Sequence, residues 1–157
     1  APKLSDTITH ANSAIAADAA GFVVLVSELF LKNKMCKAVE ILGSGTSGVI
    51  PEEAPLAPVG AIKALLDHTE ISLSNVAFIE LMEAYAAQAI ICTRLCDLDL
   101  DKVNIRGGAL SRGHPIGASG AILVVRLFNE LIKTPGASGM AAIAAAGGIG
   151  SAMMLKS

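Results

Sequence analysis

The spacing of hydrophobic and polar positions changes period along the chain. Residues 21–27 (GFVVLVS) form a short apolar run rich in β-branched side chains, which predicts a buried strand. Residues 28–35 read as a short helix closing on Lys32, Lys34 and Lys37, cations suited to the negative end of a helix dipole. A second strand is expected over 38–42, followed by a loop over 43–58 that holds three of the six prolines. Val59, Ile62, Leu65 and Leu66 then recur at helical spacing, with Lys63, Asp67 and Glu70 on other faces. Residues 76–82 (VAFIELM) predict a third strand. Residues 85–96 predict a helix that is apolar or small nearly all round, hence buried on more than one side. A glycine-rich loop after 104–110 leads into a long helix over 117–133. On it Ser119, Arg126, Asn129, Glu130 and Lys133 share one stripe, expected to be wet. Residues 140–146 and 151–156 read as two strands joined by Gly147-Gly148-Ile149-Gly150. The sum is one α/β domain over 1–157, a mixed five-stranded sheet with helices on both faces.

Composition adds a packing argument. The chain holds 27 alanines and 15 glycines among 157 residues, so backbones must approach closely, as when helices lie between layers. Charged residues make up 17% and apolar ones 53%, which excludes disorder. Twelve Lys and Arg against 14 Asp and Glu, with no basic run and few aromatics, argue against nucleic-acid binding. Mean hydropathy is +0.61, but a spanning helix needs about 20 uninterrupted apolar residues. The run at 19–26 stops at Ser27-Glu28, that at 116–125 at Arg126, and that at 140–146 at Gly147-Gly148. The polar opening, residues 1–6, predicts no secretory leader, and the chain is expected to act away from the membrane. Three cysteines in apolar settings are too few for a disulfide framework and fit a reducing compartment, the cytoplasm or an organellar matrix. Cys92 and Cys96 lie one helical turn apart without a third or fourth ligand nearby, so they are expected in the core and no metal site is expected.

Two glycine motifs differ in meaning. Gly43-Ser44-Gly45-Thr46-Ser47-Gly48 fits G-x-G-x-x-G, but it runs into Val49-Ile50-Pro51-Glu52-Glu53 rather than into a helix N-terminus. The two carboxylates would repel phosphate, so this segment is expected to be a turn. The second motif runs from Gly107 to Gly120 and holds one histidine, His114, between Gly113 and Pro115 before the long helix. Proline fixes the exit direction and the glycines let a ligand approach the backbone. A histidine there can act as a base or as a hydrogen-bond donor to an oxyanion.

This histidine segment resembles the corresponding loop of the thiolases, enzymes that make or cleave 3-ketoacyl-CoA. The stretch Phe78-Ile79-Glu80-Leu81-Met82-Glu83-Ala84-Tyr85-Ala86-Ala87-Gln88 is similar to the family's Asn-Glu-Ala-Phe segment. Ala144-Ala145-Ala146-Gly147-Gly148-Ile149-Gly150 resembles its C-terminal Cys-x-Gly-Gly-Gly-x-Gly turn. The opening stretch with Thr7-Ile8-Thr9, Asn12 and Asp18 is similar to the segment that opens the thiolase C-terminal half. The order and spacing agree over nearly the whole chain.

The resemblance implies a thiolase-like half of α/β type, whose active site lies between two such halves. It also implies an acyl-CoA thioester as substrate, with no separate cofactor. His114 matches the histidine that activates the nucleophile. The acid/base cysteine position is Ala144, which cannot transfer a proton, and the asparagine position is Met82, which offers no donor. Ala146 replaces a usual glycine, and its amide with that of Gly147 would serve an oxyanion hole. Ala14 stands at a CoA-contacting serine position, beside Ser13. Ile15 and Ala19 also replace usual glycines. The nucleophile-bearing half has no counterpart in this chain. The resemblance allows two functions: the C-terminal part of a thiolase-type acyltransferase, or a non-catalytic thiolase-like domain that binds acyl-CoA or acts as a structural subunit. Either one is expected to associate, with a thiolase N-terminal half or with itself, since the helix over 85–96 and the His114 loop would otherwise be exposed.

Overall fold

A computed structural model describes residues 7–157, so the polar opening 1–6 lies outside the described residues. The elements run α1 (Glu28–Leu31), β1 (Glu40–Gly48), α2 (Ala57–Thr69), β2 (Val76–Leu81), α3 (Ala86–Leu95), α4 (Ala109–Arg112), α5 (Ser119–Leu131), β3 (Ser138–Ala145) and β4 (Ile149–Lys156). The strands form a mixed sheet in the order β1-β4-β3-β2. β2 and β3 are parallel, and β4 is antiparallel to both of its neighbours.

Alternation along the strands sorts side chains to two faces. Met140, Ala142, Ala152 and Met154 pack with Ala61, Ile62 and Leu65 of α2 and with Cys92 of α3. Ala141 and Leu155, one position out of phase, pack with Leu123, Leu127 and Leu131 of α5. Helices thus cover both faces of a mixed sheet, as expected.

Among the described residues the sheet has four strands, not five. Residues 21–27 form no strand; Phe22 is 87% exposed and Val24 84%. A hydrophobic run records a preference for burial, but a strand also needs a neighbour for its backbone groups. Along β2, Asn104 donates its N–H to the Ile79 carbonyl at 2.8 Å. Its carboxamide accepts from Leu81 N–H and donates to Leu81 O, each at 2.9 Å.

The glycine motif at 43–48 is not a turn but the body of β1, so part of the expected loop is strand. The reason is close packing: a Cβ at Gly45 would collide with the Ala61 carbonyl and the Leu65 amide of α2. The remainder is a 3-10 stretch, Pro51–Leu56, leading into α2. α3 is buried on one side only, through Gln88, Cys92 and Thr93, while Ile90, Ile91 and Leu95 are exposed. The wet stripe on α5 also fails at two positions, because Ser119 is buried and Arg126 lies against Glu80, both with polar partners.

Candidate functional site

Local sequence places the imidazole. Gly113 has φ +92°, a conformation that glycine adopts without a Cβ penalty, and a side chain there would meet Ala17. Pro115 then sets the direction of the next turn. Its carbonyl accepts from the amides of Ala118 at 2.8 Å and Ser119 at 2.9 Å, starting α5. The His114 amide donates to the Ile15 carbonyl at 2.7 Å, and Ala16 bridges His114 in parallel fashion. Slightly earlier in the chain, Ser13 bridges Tyr85, and the Ala14 amide donates to the Ala84 carbonyl at 2.9 Å. The opening segment therefore ties the end of β2 to the histidine loop.

The ring is oriented by a residue that helical spacing alone assigns to solvent. His114 Nδ1 lies 2.7 Å from Ser119 Oγ, and Ser119 Oγ lies 3.0 Å from the Pro115 carbonyl. A serine hydroxyl has one proton. Donated to Pro115 O, it leaves Oγ as acceptor, so the network assigns the imidazole proton to Nδ1 and the free lone pair to Nε2. Burial holds the His114 pKa below its usual value, which keeps the ring neutral at pH 7. The arrangement presents a neutral base.

A cleft of about 280 Å³ opens beside that ring, lined by His114, Ile116, Ile143, Ala144, Ala145, Ala146, Ile149 and Ser151. His114, Ala144 and Ala146 thus meet in one place, and Gly147 follows on a turn where it and Gly148 have φ near +90° (+87° and +89°). Met82 does not line this cleft. It is 4% exposed and borders a separate void of about 20 Å³ with Ala109, Ser119 and Leu123. Ser13 points its hydroxyl at the Thr9 carbonyl, 2.8 Å away, and Ala14 packs against the α5-side core.

Polar groups behind the loop are not evident from periodicity. Glu80, 3% exposed, accepts from Arg126 Nε at 2.7 Å, and Arg126 Nη2 donates to the Gly107 carbonyl at 2.8 Å. Desolvation raises the Glu80 pKa even against the attraction of Arg126. A carboxylate inside an otherwise apolar strand is the one signal in the sequence for a buried pair. The cysteines lie elsewhere: Cys92 Sγ contacts the Pro55 carbonyl, and burial pushes the Cys96 thiol up to about 11, unsuited to nucleophilic work at neutral pH.

Known proteins are similar to this chain in sequence and fold. Residues 35–157 match the family model described as "Thiolase, C-terminal domain". The chain is 37% identical to the acetyl-CoA acetyltransferase of Saccharomyces cerevisiae over 156 residues, 98% of this chain and 39% of that protein. It is 34% identical to the human mitochondrial 3-ketoacyl-CoA thiolase, over 99% of this chain and 39% of that one. The crystal structure of Acat5 thiolase from Ascaris suum in complex with coenzyme A superposes with a TM-score of 0.84 and 34% identity, over 96% of this chain and 39% of that chain. The chain thus spans about two-fifths of the length of these relatives. With a family model matched over most of its residues, it belongs to the thiolase family of acyltransferases, as a thiolase C-terminal domain.

Proposed function

We propose that this chain is the histidine-bearing half of a thiolase-type acyl-CoA site, able to hold an acyl-CoA thioester beside His114 but unable to carry out thiolysis alone. The observation that carries the reading is the cleft itself: a neutral imidazole with a free Nε2 faces a wall built from Ala144, Ala145 and Ala146. Cleavage of a 3-ketoacyl-CoA needs a nucleophile to take the acyl group, a second proton carrier for the departing carbanion, and donors for the oxyanions. His114 supplies one base, and the amides of Ala146 and Gly147 are the candidate oxyanion donors. Ala144 cannot carry a proton, and Met82 is withdrawn from the cleft. Ser13 and Ala14, alongside Tyr85, are where the CoA chain would pass.

The reading extends to association. Ile90, Ile91 and Leu95 of α3 form an exposed apolar group, which supports pairing with a thiolase N-terminal half or with another copy of this chain. The setting is a reducing compartment, cytoplasm or organellar matrix, consistent with three unpaired thiols in apolar or exposed positions. Among the described residues no helix is long and apolar enough to cross a membrane.

The test follows acetoacetyl-CoA and free CoA by loss of the substrate's enolate absorbance. The isolated chain is expected to give no turnover, and the Ala144→Cys, Met82→Asn double variant none either. Turnover that disappears in His114→Ala would overturn the proposal. So would the absence of any shift in the His114 imidazole signals when a saturated acyl-CoA is added.

A further inference from the structure

The histidine loop is fastened to the sheet at one point by Glu83, the second residue after β2. Its Oε1 accepts from Asn104 Nδ2 at 2.6 Å, and its Oε2 accepts from the Leu110 amide at 3.1 Å. The two oxygens thus join the segment flanking β2 to the first turn of the loop. The fit is close, because a Cβ on Gly108 would collide with the Glu83 carboxylate. Asn104 is itself fixed on both backbone groups of Leu81, so the Glu83 carboxylate rests on a firm support. From Leu110 the connection to the imidazole is short: the Gly113 amide donates to the Ala109 carbonyl at 2.8 Å, and His114 follows. Arg126 holds the start of the same loop through Gly107 O, seven residues before the histidine.

We propose that Glu83 is the positioning residue of this site, setting through loop 107–113 where His114 Nε2 points and whether Nδ1 can reach Ser119. The inference rests on His114 being the reactive group, but it concerns the ring alone and needs no ligand. A carboxylate is required because both partners are donors. Glutamine keeps the shape yet turns an N–H₂ toward one of them, losing one hydrogen bond and adding a donor–donor clash. Aspartate keeps the charge but is one methylene short of spanning Asn104 and Leu110.

The experiment uses the whole chain with ¹⁵N-labelled histidine and compares parent, Glu83→Gln, Glu83→Asp and Ser119→Ala by imidazole NMR. His10 and His68 serve as internal controls. In the parent, His114 is expected as the Nδ1–H tautomer. In Glu83→Gln the preference should fall by about tenfold, as for one lost hydrogen bond, and toward the mixture seen in Ser119→Ala. His10 and His68 should not move. Glu83→Asp should lie between parent and Glu83→Gln, and it provides the reading if Glu83→Gln does not fold. A folded variant in which His114 keeps the parent tautomer and titration would overturn the proposal and leave Glu83 a purely structural anchor. Unfolding of both Glu83 variants would overturn it in the same way. Failure of the acyl-CoA reading shows instead as an unresponsive parent when acyl-CoA is added, so the two outcomes are separable.

Discussion

On the α2 face of the sheet, helix meets strand backbone to backbone at Gly45, and the filling around that contact is Ile62, Leu65, Met140 and Met154. On the α5 face a guanidinium, two carboxylates and an imidazole stand between or beside the same kinds of element. The first face obtains stability from area removed from water and tolerates no added atom at its glycine contact. The second obtains placement: each polar group there is matched to a partner, and the partners come from different segments of the chain. Apolar packing is thus found on both sides of the sheet, while the polar positioning groups are gathered on the α5 side.

The difference can be broken most strongly at Arg126. Arg126→Met leaves Glu80 without its partner at 3% exposure, and a cost of about 3–5 kcal/mol is expected in urea unfolding at pH 7. Most of it should return in the double variant with Glu80→Met, since two apolar side chains leave no buried charge. The pH dependence carries the sign of the raised Glu80 pKa. Its stabilising contribution is full below pH 4.5 and lost as pH rises through the folded-state value, so Arg126→Met should gain ground relative to the parent on acidification. An unchanged difference between pH 7 and pH 5 would contradict a desolvated carboxyl.

On the α2 face the corresponding break is Gly45→Ala. One methyl group must displace α2, which is expected to cost about 1–3 kcal/mol. Gly48→Ala, in the same strand with open space around it, should fall within about 0.5 kcal/mol of the parent. Equal effects at the two positions would show that strand propensity rather than helix contact decides the matter.

On the α5 face a milder break than Arg126 is Ser119. Ser119→Ala should cost about 1 kcal/mol while abolishing the Nδ1–H preference of His114. In the parent, His114 is expected to titrate below pH 6.5. Its contribution to stability is then present above pH 6.5 and lost as pH falls through the lowered value. A parent His114 that titrates at or above pH 6.5 would remove the case for a buried ring.

Much of this is legible in the chain. The strands over 76–82, 140–146 and 151–156 and the helices around Ile62 and Leu123 follow from periodicity, because each is committed to a core that the chain itself supplies. The run at 21–27 misleads for the same reason: its apolar side chains look like the others, but nothing in its spacing says whether a neighbouring strand exists. The segment 43–48 misleads in the opposite direction, since glycines that read as a turn are there to admit a helix. At the site, His114 is legible from its glycine and proline neighbours. Ser119 and Arg126 read as wet because helical spacing reports a face and not a partner, and the partners come from 5 and 46 residues away in sequence. Glu83 looks like one letter of a motif, and only the folded loop shows both of its oxygens in use.

Asn104 bears on how copies of the sheet could meet. With its amide on Ile79 and its carboxamide on Leu81, it occupies backbone groups at the C-terminal end of β2 that a further strand would otherwise use. β1 lies at the opposite margin of the sheet. A strand from another copy cannot pair with β2 along Ile79 and Leu81 without displacing Asn104.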